Sequence, residues 1–382
     1  MVNFFRRIGF GFVKFIKEID KPLIIAAVAL SVFGIFAISS ATMSTSSWER
    51  CMIVQSFALG LGIILMSIIS RIDYELICKF FPWIAILCSA ALILTAVIAD
   101  DVGGNKNWIN LGFFNLQTSE FTKIAFAITF SAHLKKVGEK MNKIGNILLL
   151  CLHFALYAVP VLLQKDMGSA LVYVGMFLVL MFVAGIYYRY IIIAGVLGVA
   201  AVPIIWEYLS GYQKARIIYG IQPELDPLHY GLQPLIARMA IGSGGFSGLG
   251  YGNGIQTQND LLPASNTDFI YAIVGEEFGF IGCIGIILAL LVIVALIFIN
   301  GAKATEKTGY YICTAIAAMI IVQACINIGM NIGVSPVIGI TLPFVSYGGS
   351  SILSLFIGLG VVQSVRKRPE KVLKFTLGRD KK

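Results

Sequence analysis

The chain has 382 residues, of which 58% are hydrophobic and 13% charged, with a formal net charge of +9 and a mean hydropathy of +0.86. Soluble domains carry about 25% charged residues, so a set of water-soluble domains is excluded and a single polytopic membrane domain over 1–382 is expected. The positive charge does not mark a nucleic-acid binder, because the basic clusters are short and lack interleaved aromatic residues for base stacking.

Met1 to Lys21 is basic and has no short apolar core followed by a small-residue cleavage site; it reads as a cytoplasmic N-terminal segment. Apolar runs near the ~20 residues that cross a bilayer follow at roughly 22–41, 52–70, 77–98, 119–134, 145–163, 167–184, 190–206, 268–299, 309–332 and 341–365. They predict an all-α integral membrane fold of about ten transmembrane helices. With both termini cytoplasmic, 22 of the 29 Lys and Arg lie on the inner side, as the positive-inside rule demands. Residues 366–382 then form a basic cytoplasmic tail against anionic membrane lipids, and 207–267 form a large extracytoplasmic loop between spans seven and eight.

Two spans are irregular. Asp268 to Asn300 would run about 50 Å as one helix, well beyond a bilayer, so a break is expected near Gly275 or Gly279. The last span is short unless residues 341–346 contribute. The seven cysteines lack C-x-x-C spacing and the three histidines lie far apart, so neither a disulfide framework nor a zinc cluster is expected.

This orientation puts most of the unusual polar residues on the outer side. The 99–118 loop carries Lys106 and Trp108 and leads into a helix holding Ser119, Glu120 and Lys123. Ser119 reads as an N-cap. Glu120 and Lys123, three apart, share a helix face and can pair, although ionisable groups at membrane depth point to function. Asp166 stands at a helix entrance, where Asp is a good N-cap. The 209–267 segment holds Lys214, Arg216 and Arg238 together with the glycine-dense stretch Gly242–Gly254. Such a loop either presents amides to a phosphate or pyrophosphate that the cations neutralise, or is merely flexible.

Asp268 is either a helix cap shared with Thr267 or a carboxylate at the membrane boundary that takes a proton from a substrate hydroxyl. Glu276 and Glu277, two turns deeper, require a polar cavity. Ser346 and Ser350 belong to LPFVSYGGSS, whose backbone either lines a cavity or allows close helix packing.

Four motifs in order, NWINLGFFNLQTSEFTK, QKDMGSA, LPASNTDFIYAIVGEE and LPFVSYGGSS, resemble those of the SEDS family (RodA, FtsW, SpoVE) across residues 20–368, with YQKARI, IQPELDPL and IQTQNDLLP most similar to the RodA type. The resemblance implies a multi-pass protein of the bacterial cytoplasmic (inner) membrane. It implies a peptidoglycan glycosyltransferase that polymerises lipid II at the outer face, beside a class B penicillin-binding protein, in elongation and cell shape. Division or sporulation, as for FtsW and SpoVE, is the alternative role.

The family's catalytic Asp falls on Asp268 and its loop Trp on Trp108. Lys106, Glu120, Lys123, Asp166, Lys214, Arg216, Arg238, Glu276, Glu277, Ser346 and Ser350 are the expected substrate or pyrophosphate contacts. The family His two before the Asp is Asn266, the loop Arg falls on Asn107, two prolines are Thr118 and Lys165, and a Gln before AIGSGG is Ile236. A divalent cation (Mg or Mn) is the expected candidate cofactor, although no ligand set is visible. The rival readings are a lipid II flippase or other transporter, with Glu120, Lys123, Glu276 and Glu277 along its path, and a non-catalytic scaffold.

Overall fold

A computed structural model describes residues 19–99, 106–110, 112 and 115–366. The expected cytoplasmic N-terminal segment and basic tail therefore lie outside the described residues, apart from 19–21 and Arg366. Each of the ten apolar runs falls on a helix. These are α1 (Lys21–Thr42), α2 (Trp48–Ile69), α3 (Tyr74–Lys79) and α4 (Phe81–Ile98), then a hairpin of β1 (Trp108–Asn110) and β2 (Asn115–Gln117). The chain continues through α5 (Thr118–Val137), α6 (Ile144–Leu163), α7 (Met167–Val183), α8 (Tyr188–Tyr208), α9 (Gly211–Ile221), α10 (Leu232–Gly244) and α11 (Ile255–Gln258). It ends with α12 (Ile270–Ala302), α13 (Lys307–Asn331) and α14 (Gly349–Arg366).

Among the described residues, seven of these helices are long and apolar enough to cross a membrane (α1, α2, α4, α6, α12, α13 and α14), and α7 and part of α8 are shorter apolar helices. α5 differs because Glu120, Lys123, Lys135 and Lys136 interrupt its apolar surface, yet it is buried along most of its length. α5, α13 and α14 form the centre of the bundle. Around them α4, α6 and α8 turn large apolar side chains outward, among them Trp83, Leu87, Leu148 and Val199, as lipid-facing helices do.

Small residues set the closest approaches, since helices in lipid gain most from tight packing. A Cβ on Gly360 would stand 2.9 Å from the Met66 carbonyl oxygen, and one on Gly62 would stand 3.1 Å from Phe356 Cβ, so α2 and α14 pack nearly backbone to backbone. At the opposite end from the 209–267 segment, Asp20 Oδ2 accepts from Asn300 Nδ2 at 2.7 Å and pairs with Arg366 Nη1 at 2.7 Å. That carboxylate ties the starts and ends of α1, α12 and α14 together.

The overlong helix breaks where a glycine permits it. Gly279 has φ 63° and ψ −158° inside α12, a backbone conformation closed to residues with a Cβ. A break orphans amides and carbonyls that must find other partners. The glycine-dense stretch supplies them: Phe280 and Ile281 amides donate to the Gly245 and Phe246 carbonyls, while Leu249 and Gly250 amides donate to the Glu276 and Glu277 carbonyls. A Cβ on Gly248 would fall 2.1 Å from the Glu277 carbonyl oxygen. The expectation that this loop cradles a phosphate is therefore corrected: these amides serve the broken helix.

Two capping expectations are also corrected. α5 begins at Thr118 with Gln117 before it, and the Ser119 hydroxyl donates to Asp166 instead of capping its own helix. α12 has Phe269 at its N-cap and no side-chain cap, so neither Thr267 nor Asp268 serves there. The segment 332–348 before α14 is irregular and largely buried, so residues 341–346 contribute loop, not helix.

Candidate active site

Asp268 lies on the turn just before α12, and its main chain is fixed from two directions. Asn327 and Asn331, one turn apart on α13, both donate from Nδ2 to the Asp268 carbonyl oxygen, at 2.9 and 3.0 Å. Asn331 Oδ1 also accepts from the Ala272 amide at 3.1 Å, and Asn327 Nδ2 donates to the Ile340 carbonyl at 2.6 Å. From the other side, Ser346 Oγ donates to the Thr267 carbonyl at 2.6 Å and the Tyr347 amide to the Asn266 carbonyl at 2.8 Å. Gln55 of α2 braces that turn, donating to the Ser346 carbonyl and accepting from the Gly348 amide, both at 3.1 Å. The SYGGSS turn thus acts as a clamp on the chain around Asp268.

The Asp268 side chain, by contrast, makes no hydrogen bond and no ion pair among the described residues and is half-buried. Gly339 (φ +74°) lets the 332–348 segment run beside it. An ideal Cβ there would sit 3.3 Å from Asp268 Oδ2 and 3.5 Å from Arg216 Nη2, so carboxylate and guanidinium flank the same small space. Burial pushes the Asp268 carboxyl up to about 6, Arg216 opposes this, and the nearby Asp166 carboxylate adds to it, the behaviour of a desolvated acid.

Asp166 is indeed the α7 N-cap, accepting from the Ser169 amide at 2.9 Å. Its other oxygen accepts from Asn107 Nδ2 at 3.0 Å, Gln117 Nε2 at 3.1 Å and Ser119 Oγ at 3.3 Å. It is the hub that holds the β-hairpin, α5 and α7 together. Ser350 adds to this junction by donating to the Asn115 carbonyl at 2.9 Å and accepting from the Gln117 amide at 3.1 Å. Trp108 is half-buried on β1, paired across the hairpin with Gln117, and Lys106 is exposed.

The cations do not converge. Arg216 reaches the Asp268 side and lies over the Tyr212 ring at 5.3 Å, whereas Lys214 lies over Trp206 at 5.9 Å. Arg238 is tied to the Ile221 carbonyl at 2.9 Å, to the Gly220 and Gly333 carbonyls at 3.4 Å, and to Glu224 at 3.3 Å. The buried Glu120–Lys123 pair is present at 2.7 Å, and Glu120 also accepts from Ser354 at 3.3 Å.

Glu276 accepts from the Gln256 and Thr257 amides and from Thr257 Oγ1 at 2.6 Å, capping α11. Glu277 accepts from Ser40 and Gln258. Both carboxylates are thus engaged with the glycine-rich loop and its flanks.

Asn327 and Asn331 did not stand out in the sequence, although two Asn four apart on one face of an apolar helix are a readable signal. Among the described residues no group of three His, Cys, Asp or Glu side chains stands close enough to hold a metal ion. Among the described residues, Asp268 contributes one carboxylate and Asp166 already accepts from four donors.

Comparison with known proteins agrees with this architecture. The family model described as cell cycle protein, covering FtsW, RodA and SpoVE, matches residues 21–371. The peptidoglycan glycosyltransferase MrdB of Escherichia coli (strain K12) is 31% identical over 358 residues, covering 91% of this chain and 93% of its own. Stage V sporulation protein E of Bacillus subtilis (strain 168) is 33% identical over 366 residues, covering 91% and 97%. A chain from a solved peptidoglycan synthase complex, described for its coordination of polymerization and crosslinking, aligns with a TM-score of 0.79 at 26% identity over 91% of this chain and 98% of that one. The rod shape-determining protein RodA of Thermus thermophilus shares the fold, with a TM-score of 0.69 at 23% identity over 91% and 97%. A central buried polar site at one end of a helical membrane bundle, four motifs in order and these matches make the chain a member of the FtsW/RodA/SpoVE family.

Proposed function

We propose that this protein is a peptidoglycan glycosyltransferase that polymerises lipid II at the outer face of the bacterial cytoplasmic membrane, through ten membrane-spanning helices with both termini inside. The observation that carries the reading is Asp268: a half-buried carboxylate, unpartnered among the described residues, beside Arg216 on a backbone clamped by α13 and the SYGGSS turn. A raised carboxyl is suited to take a proton near neutral pH.

In the proposed reaction the acceptor GlcNAc 4-oxygen forms a bond to C1 of the donor MurNAc. The bond from C1 to the pyrophosphate oxygen breaks, the hydroxyl proton passes to Asp268, and polyprenyl pyrophosphate leaves. Arg216 offers preorganised positive charge to that departing anion. A divalent cation is proposed only as a companion of the pyrophosphate, since magnesium commonly combines one or two carboxylates with substrate phosphates; no step depends on it. A class B penicillin-binding protein is the proposed partner, and elongation the proposed role. The test is to supply the purified chain with lipid II, with and without such a partner, and resolve the products by glycan length; no polymer under any condition would refute the reading.

The transporter reading loses support from the carboxylates meant to line its path. Glu120 is paired with Lys123, and Glu276 caps α11. Glu276→Ala leaves three donors unsatisfied and is expected to cost about 1–3 kcal/mol of stability, seen as a lower unfolding midpoint in detergent. Turnover per folded molecule is expected to persist. A fully stable Glu276→Ala without turnover would instead make this residue a substrate contact.

The acid limb of the pH–rate profile is expected near pH 6, because only ionised Asp268 accepts a proton. Arg216 holds that carboxyl down, so Arg216→Gln raises it further and moves the limb to higher pH, with turnover on the plateau lowered about tenfold. A limb that stays in place would separate Arg216 from Asp268.

A further inference from the structure

Joining two lipid-linked saccharides requires a place for each, and Arg216 beside Asp268 offers charge to the pyrophosphate of one of them. At the start of α2 a cavity of about 350 Å³ opens, lined among the described residues by Glu49, Arg50, Ile53, Val54 and Gly112. This lies within the ~300–1,000 Å³ range of small-molecule sites.

The helix that carries four of these residues also touches the Asp268 loop. Cys51, next to Arg50, accepts from Asn266 Nδ2 at 3.7 Å, and Asn266 stands two residues before Asp268. Gln55, one turn further along α2, braces the Ser346–Gly348 turn. Neither Glu49 nor Arg50 has a hydrogen bond or ion pair among the described residues, although both are exposed at the rim.

The charge balance of this cavity differs from that beside Arg216. A carboxylate next to a guanidinium, neither of them paired among the described residues, gives no net attraction for a pyrophosphate. It presents acceptors and donors together beside the apolar Ile53 and Val54, the set that a neutral sugar with adjacent hydroxyl and amide groups satisfies. We propose that the Glu49–Arg50 cavity is the saccharide subsite that holds the acceptor amino sugar, with its hydroxyl directed to Asp268. The inference rests on the glycosyltransferase reading and adds to it which residues hold the acceptor.

The experiment uses the full chain in nanodiscs. A soluble disaccharide-pentapeptide lacking lipid and phosphate, and inorganic pyrophosphate, serve as separate binding probes beside lipid II kinetics. Arg50→Gln and Glu49→Gln are expected to raise KM for lipid II about 10- to 100-fold with kcat changed less than about threefold, as loss of charge-assisted hydrogen bonds made equally in ground and transition states requires. Arg50→Lys retains part of the affinity.

Both neutral variants are expected to lose the disaccharide while pyrophosphate binding persists. Ile53→Trp, at an exposed position, narrows the cavity without touching the charges and is expected to lose the disaccharide too. Unchanged KM and disaccharide binding in all three would overturn the proposal. Loss of pyrophosphate with disaccharide binding kept would overturn it in favour of an anion site. A wild-type chain that makes no glycan would refute the glycosyltransferase reading itself, whereas a polymerising wild type with indifferent variants refutes this subsite alone.

Discussion

Asp268→Asn is expected to leave the protein folded and inserted while lowering lipid II polymerisation by about 10²–10⁴-fold, the usual contribution of a positioned general base. The substitution keeps shape and volume and removes only the capacity to take a proton. Because the native carboxylate has no hydrogen-bond partner among the described residues, nothing structural depends on its charge. The backbone clamp from Asn327, Asn331, Ser346 and Tyr347 acts on main-chain atoms that the change does not alter. Relief of a buried charge should even favour folding slightly, since the raised carboxyl shows that ionisation is disfavoured there. Thermal unfolding in detergent and single-turnover formation of glycan from lipid II check the two halves separately. A stable Asp268→Asn protein that polymerises at the normal rate would remove Asp268 from the chemistry.

The helices were legible because apolar length in a membrane protein is a local property. Each of the ten runs overlaps a helix, seven of them long and apolar enough to cross a membrane among the described residues, and the excess length of Asp268–Asn300 foretold the break that Gly279 makes. Asp166 as a cap and Glu120 with Lys123 as a pair were readable for the same reason, since each depends on residues within a turn. What escaped was long-range.

The glycine-dense stretch looks like a phosphate cradle until the orphaned amides and carbonyls around Gly279, more than twenty residues away, are seen to take its hydrogen bonds. Ser119 resembles an N-cap, yet its hydroxyl answers Asp166, which a separate helix brings to it. Lys214, Arg216 and Arg238 read as one group in sequence, but their contacts in the fold differ. Lys214 and Arg216, two residues apart on α9, cannot share a face, and Arg238 is consumed by carbonyls at the end of α9 and after α13.

The paired substitution Asn327→Ala and Asn331→Ala is expected to lower kcat about 10²-fold, with KM for lipid II changed much less. Both side chains donate to the Asp268 carbonyl oxygen, a main-chain atom, and so fix where its carboxylate points. Small displacements of a catalytic group cost rate on about that scale. Each single change leaves the carbonyl one donor, so the double variant should exceed the sum of the singles, as neighbours in one network do.

The double change also frees the Ile340 carbonyl from Asn327, loosening the segment that carries Gly339 past the carboxylate. Stability should fall by about 1–3 kcal/mol for the buried acceptors left without donors, so rates are compared per folded molecule. A purely structural role would reduce the folded fraction and leave the kcat of the survivors intact. A positioning role lowers kcat itself and shifts the acid limb near pH 6, because the carboxylate moves relative to Arg216. A folded double variant with normal kcat and an unmoved limb would show that the SYGGSS clamp alone holds Asp268 in place.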